Sequence, residues 1–156
     1  MECVLPILFT PGQLMAALSL SKQQWRTYRY SIPRLNAAEG RSACFTAGDL
    51  LATAVIQSVA DTLKMPIASL APVADTLFDV CGSQPWILLE RGSIALLIDD
   101  GRAILLDGEQ RPPVSTLVLL IELRPLVLAL RDRLLAAGSD PQHELAFPPM
   151  VAGGRP

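Results

Sequence analysis

Apolar residues recur at helical spacing through most of the first 83 positions, then give way to short continuous apolar runs. Leu14, Met15 and Leu18 form the apolar face of a first helix. Thr10 precedes it as an N-cap, its hydroxyl available to an orphan backbone N–H, and Pro11 occupies the first helical position, which tolerates it. Ser19-Leu20-Ser21 breaks the pattern, and Ser21 caps a second helix that runs to about Tyr30. Trp25 and Tyr28, three apart, anchor that helix on the first one, while most of its other side chains are hydrogen-bonding. Residues 31–44 contain Pro33, Arg34, Asn36, Gly40 and Arg41, which suits a short two-stranded wing with basic tips. From Thr46 to Leu63 the positions Leu50, Leu51, Ala54, Val55, Val59 and Leu63 keep steps of three and four. Asp49 stands in the first turn, where the helix dipole favours it. Pro66 opens a further short helix with Leu70, Val73, Leu77 and Phe78 apolar, and Cys81-Gly82-Ser83 closes it.

After Gln84 the texture is that of a sheet. Trp86 to Leu89 is a short apolar run read as a strand. Ser93 to Ile98 and Ala103 to Leu106 flank Asp99-Asp100-Gly101-Arg102, a strong hairpin signal because Asp and Gly tolerate positive φ. Val114 to Leu123 reads as a central strand, although periodicity alone leaves a buried helix open. Pro125 starts a last helix with Leu126, Val127, Leu130, Leu134 and Leu135 apolar, ended by Gly138. The expected architecture is α+β: an N-terminal winged helix-turn-helix domain (1–83), a small antiparallel sheet with a C-terminal helix (84–138), and a flexible, proline-rich tail (139–156). The sheet domain carries a dimerisation expectation. Four apolar strands with one helix leave a face to cover, and either a second copy or the N-terminal helices must cover it.

Composition narrows the function. Apolar residues make up 51% and charged residues 18%, which places the chain among folded globular proteins. No uncharged apolar run reaches the length of a membrane span, and no basic-then-apolar leader opens the chain, so a cytoplasmic location is expected. The net charge of −2 hides an asymmetry. Residues 1–44 hold five basic and two acidic residues, whereas residues 45–156 hold eight basic and thirteen acidic ones. Positive charge gathers where the helix-turn-helix pattern lies, which favours double-stranded DNA as partner.

The order helix, turn, helix with an aromatic end (Trp25, Tyr28, Tyr30), an arginine-bearing wing, then Phe45-Thr46-Ala47-Gly48-Asp49-Leu50 resembles a MerR-type winged helix-turn-helix. Lys64 to Leu70 is similar to the short turn after the third helix in that family. The resemblance covers roughly the first 80 residues and implies a transcriptional regulator with its second helix in the major groove and its wing on phosphates. The candidate DNA contacts are Ser21, Lys22, Gln23, Gln24, Arg26, Thr27, Arg29 and Tyr30 on the helix, with Arg34 and Arg41 on the wing. The chain departs from the family after residue 83, where no heptad run follows. That leaves room for an excisionase-like architectural factor. It also leaves room for an adaptor or antiactivator whose acidic, apolar C-terminal half binds another protein.

Catalytic patterns are weak. The single histidine, His143, lies in the tail, Asp99-Asp100 fits a solvated turn better than an acid–base pair, and no glycine-rich phosphate loop occurs. Cys3, Cys44 and Cys81 lack any metal-ligand spacing. Neither an enzymatic activity nor a cofactor or metal is therefore expected.

Overall fold

The structure, a computed structural model, describes residues 7–37 and 43–138. The lead-in before Ile7, the wing tip with Gly40 and Arg41, and the tail from Ser139 lie outside the described residues. Helix α1 (Pro11–Leu18) and α2 (Lys22–Ser31) are joined by Ser19-Leu20-Ser21, and each begins with a capping box. The Thr10 hydroxyl accepts from the Gln13 N–H at 3.1 Å, and Gln13 Oε1 accepts from the Thr10 N–H at 2.8 Å. Ser21 and Gln24 repeat the arrangement at 3.1 and 2.9 Å, as do Thr46 and Asp49 at the start of α3 (Ala47–Leu63). Helix α1 ends on Ser19 at φ 53, with the Leu20 N–H reaching back to the Met15 carbonyl. Helix α3 ends alike on Lys64 at φ 54, with Met65 bonding Ala60.

One sequence expectation is corrected, for its described part, between α2 and α3. Pro33–Ala37 is a 3-10 helix, so this described part of the expected wing is not a strand. Among the described residues nearby, the extended pairing is one antiparallel bridge between Phe9 and Phe45. Proline fixes φ near the helical value, and Leu35 turns fully inward, which a two-stranded ribbon would not require. After a second 3-10 turn (Ile67–Leu70), α4 (Ala71–Gly82) packs against α3. Gly48 makes their approach possible: a Cβ there would stand 2.7 Å from the Gly82 Cα and 2.8 Å from the Cys81 carbonyl oxygen.

Trp86–Leu89 is a short helix, α5, rather than a strand. Pro85 starts it, and the Trp86 indole N–H donates to the Ala47 carbonyl at 3.0 Å, tying the turn to α3. Among the described residues the sheet has three strands, not four: β1 (Ser93–Leu97), β2 (Arg102–Leu106) and β3 (Val118–Glu122), in the order β2-β1-β3 and antiparallel at both pairings. The expected hairpin joins β1 to β2, with Gly101 at φ 63. The Val114–Leu123 run yields strand only over its second half, and that strand is an edge rather than the centre. Pro112-Pro113 just upstream cannot donate to a ladder, and β1, buried along Ile94–Leu97, takes the central place.

Helix α6 (Leu123–Gly138) follows β3 directly and packs on α1, α3 and α5. The face of the sheet bearing Ile94, Leu96 and Ala103 belongs to the same core as Leu51, Val55, Val73 and Leu77 of α3 and α4. Leu123, Val127 and Leu130 of α6 belong to that core as well, so the N-terminal helices share it with α6. Buried side chains on both sides of Ser83 form one continuous core. No described helix is long and apolar enough to cross a membrane.

Candidate nucleic-acid interface

Helix α2 is fixed from below and left open above. Trp25 and Tyr28 are buried, and Trp25 meets Phe45 edge-on, with ring centroids 5.8 Å apart and planes at 84°. These two side chains set the roll of the helix about its axis. At 3.6 residues per turn, Lys22, Gln23, Arg26 and Tyr30 then fall within a stripe about 100° wide, turned away from Trp25 and Tyr28. All four are exposed, Tyr30 to 93%, and none carries a side-chain bond to another described residue.

The other candidates on this helix are already engaged. Ser21 and Gln24 serve each other's backbone in the capping box. The Thr27 hydroxyl donates to the Gln23 carbonyl at 3.2 Å, a bond within the helix. Arg29 is half-buried and donates from Nη2 to Asn36 Oδ1 at 3.1 Å, which ties the end of α2 to the 3-10 turn.

Arg34 is placed differently from its expected wing role. Its guanidinium forms a salt bridge with Asp79 and lies 3.8 Å from Asp75, one turn earlier on α4. The guanidinium carbon also stands 5.8 Å from the Phe78 ring centroid. The bond to Asp79 holds the guanidinium still more firmly in its charged form. Two acidic partners offset its charge locally, whereas Lys22 and Arg26 of α2 form no salt bridge with another described residue. Sequence reasoning set Asn36 in the wing without its bond to Arg29, and it missed Asp75 and Asp79. The four-residue spacing of the two aspartates marks one face of α4, but nothing local to Arg34 announces that this face lies beside it.

The end of α1, which sets the turn into α2, is held by distant parts of the chain. Gln57 Nε2 of α3 donates to the Leu18 carbonyl at 2.8 Å, and Arg133 Nη1 of α6 donates to the Ala17 carbonyl at 2.9 Å. Both satisfy carbonyls that a helix end leaves orphaned. The exposed stripe therefore sits on a base fixed by both halves of the molecule. Among the described residues no three His, Cys, Asp or Glu side chains gather in a metal-holding group. Cys44 is exposed, and burial, assisted by the charge of Asp49, pushes the Cys81 thiol up to about 12. No protein-family model, curated protein or solved structure matches this chain.

Proposed function

We propose that this chain is a double-stranded DNA-binding regulator that seats α2 in the major groove. The observation carrying the reading is the stripe of Lys22, Gln23, Arg26 and Tyr30: four exposed side chains, unengaged by any other described residue, on one face of a capped and anchored helix. A ten-residue helix is about 15 Å long and fits a groove about 12 Å wide. Arg26 and Gln23 have the donor patterns that read guanine and adenine edges in pairs of hydrogen bonds. Lys22, beside the helix N-terminus, and the Tyr30 hydroxyl suit phosphate oxygens. The short turn between α1 and α2, and α3 following them, support the MerR-like reading of the first 80 residues. Arg34 is left out of the phosphate contacts because Asp75 and Asp79 hold it.

Selection of bound sequences from a random duplex pool tests the proposal. A short enriched motif is expected, lost in the Gln23→Ala, Arg26→Ala double variant. Retention of no duplex, or enrichment unaffected by that variant, would remove the DNA-binding assignment.

A further inference from the structure

The sheet has two outer edges, and the described residues close only one. At the β2 edge the Ala103 N–H donates to the Thr76 hydroxyl of α4 at 2.9 Å, and the Pro72 carbonyl oxygen of α4 stands over Gly101 beside it. At the β3 edge no described residue takes the corresponding place. The register fixes which groups are left. Leu123 N–H donates to the Gly92 carbonyl at 3.3 Å, one step beyond the Ser93–Glu122 pair. Bonded and non-bonded pairs alternate in an antiparallel ladder, so Ile121 and Leu119 turn their backbone groups toward β1. Val118, Leu120 and Glu122 turn theirs outward.

Bare edges are normally protected by lysine, proline or a bulge. Strand β3 has none of these; its first four residues, Val118 to Ile121, are apolar and Leu120, at its centre, is 54% exposed. Beside it runs an apolar groove of about 430 Å³, walled by Val59 and Leu63 of α3, Leu119 and Ile121 of β3, and Leu126 of α6.

We propose that this edge pairs with β3 of a second copy, antiparallel about a two-fold axis at Leu120, making one six-stranded sheet across the dimer. The outward groups are self-complementary in that register. Each Leu120 N–H meets the Leu120 carbonyl of the second copy, and each Glu122 N–H meets a Val118 carbonyl. Charge selects the same arrangement. Glu122 is the only charged residue of the strand, and the antiparallel register sets it opposite Val118. The two carboxylates then stand ~14 Å apart at ~3.4 Å per residue, beyond the ~8 Å screening length. Parallel pairing in register would set them side by side. Area extends the contact past the strand. The five residues of the edge fall short of the roughly 20–30 residues a side, about 800 Å² per subunit, of a stable interface. The exposed Leu63 beside the groove, with Val114 and Leu117 just before the strand, supplies further apolar surface that the second copy covers. The dimer is independent of the DNA assignment and is tested without DNA.

Sedimentation equilibrium of the full chain, with amide hydrogen exchange at several concentrations, decides. At micromolar concentration the mass should be twice the 16.8 kDa of one chain, and Leu120→Lys should return it to one chain with an unchanged far-UV spectrum. The Leu120 and Glu122 amides should exchange more slowly as concentration rises. That readout stands even if the lysine variant misfolds. A wild-type monomer, a dimer that persists in a folded Leu120→Lys, or a dimer whose Leu120 and Glu122 amides exchange at a rate independent of concentration would each overturn the proposal.

Discussion

Helix α2 and strand β3 each keep an outer side that no described residue covers, and they differ in what they offer. The open side of α2 is polar, and its backbone is satisfied within the helix and its cap. Only its side chains seek partners, and water serves them at little cost. The open side of β3 is apolar in its side chains and unpaired in its backbone, so water serves it poorly. A polar, locally satisfied stripe is suited to a charged polymer that it can bind and release. An apolar open edge is suited to a lasting pairing with another strand. If both proposals hold, the difference separates a reading surface from an assembling one, and substitutions test each.

The largest effect is expected where both surfaces share a foundation. Gly48→Ala places a methyl group against backbone atoms of Cys81 and Gly82 that no rotamer change can move aside. A loss of about 1–3 kcal/mol in urea unfolding is expected, with DNA affinity and oligomeric state both weakened. A variant of unchanged stability would show that the α3–α4 approach is looser than described. A smaller change should strike one surface alone. Ser21→Ala removes the hydroxyl that caps α2 and should cost about 1 kcal/mol. DNA affinity should fall while the sedimentation mass stays the same.

The alkaline response should report on the shared core. Burial pushes Tyr28 from 10.0 up to about 12, with the charge of Asp61 adding to it, and Cys81 from 9.0 to about 12. Both groups therefore keep their protons in the fold at pH values where the unfolded chain loses them. The unfolded state then binds fewer protons, so stability falls as pH rises. Their contribution is full below about pH 9 and is lost progressively toward about 12. The urea midpoint should decline over that window, and Tyr28→Phe should flatten the part above about pH 10. The smallest effect is expected from Leu120→Lys, which should change monomer stability by no more than about 0.5 kcal/mol because the side chain faces out of the sheet edge. A larger loss would mean that Leu120 serves the fold of one chain rather than the meeting of two.

The N-terminal helices were legible because their signals are local. Thr10, Ser21 and Thr46 each stand three residues before the side chain that completes the cap, and Trp25 and Tyr28 lie on the face that is buried. The hairpin at Gly101 was legible for the same reason. What failed depends on distant partners. Trp86 to Leu89 has the composition of a strand, yet Pro85 and the indole bond to Ala47 make it a helical turn. Val114 to Leu123 was long enough for a central strand, but only the ladder with β1 shows where pairing begins. Arg34 lay in a stretch that read as a basic wing, and its neutralising aspartates are more than forty residues further on. The polar stripe on α2 was visible in outline, while its reduction to Lys22, Gln23, Arg26 and Tyr30 required seeing which side chains the fold had already engaged.

The most direct test of the central claim is the salt dependence of affinity for the selected duplex, measured for the wild type, Lys22→Ala and Arg26→Ala. Lys22 on a phosphate, at ~0.9 per contact, predicts a log–log slope of about −0.9 from each protomer. Lys22→Ala should make that slope shallower by about 0.9 per protomer, and Arg26→Ala should cost about 1–3 kcal/mol of affinity for the selected duplex. A flat response to salt, or a slope and affinity unchanged in both variants, would contradict the assignment of α2 as the DNA-reading helix.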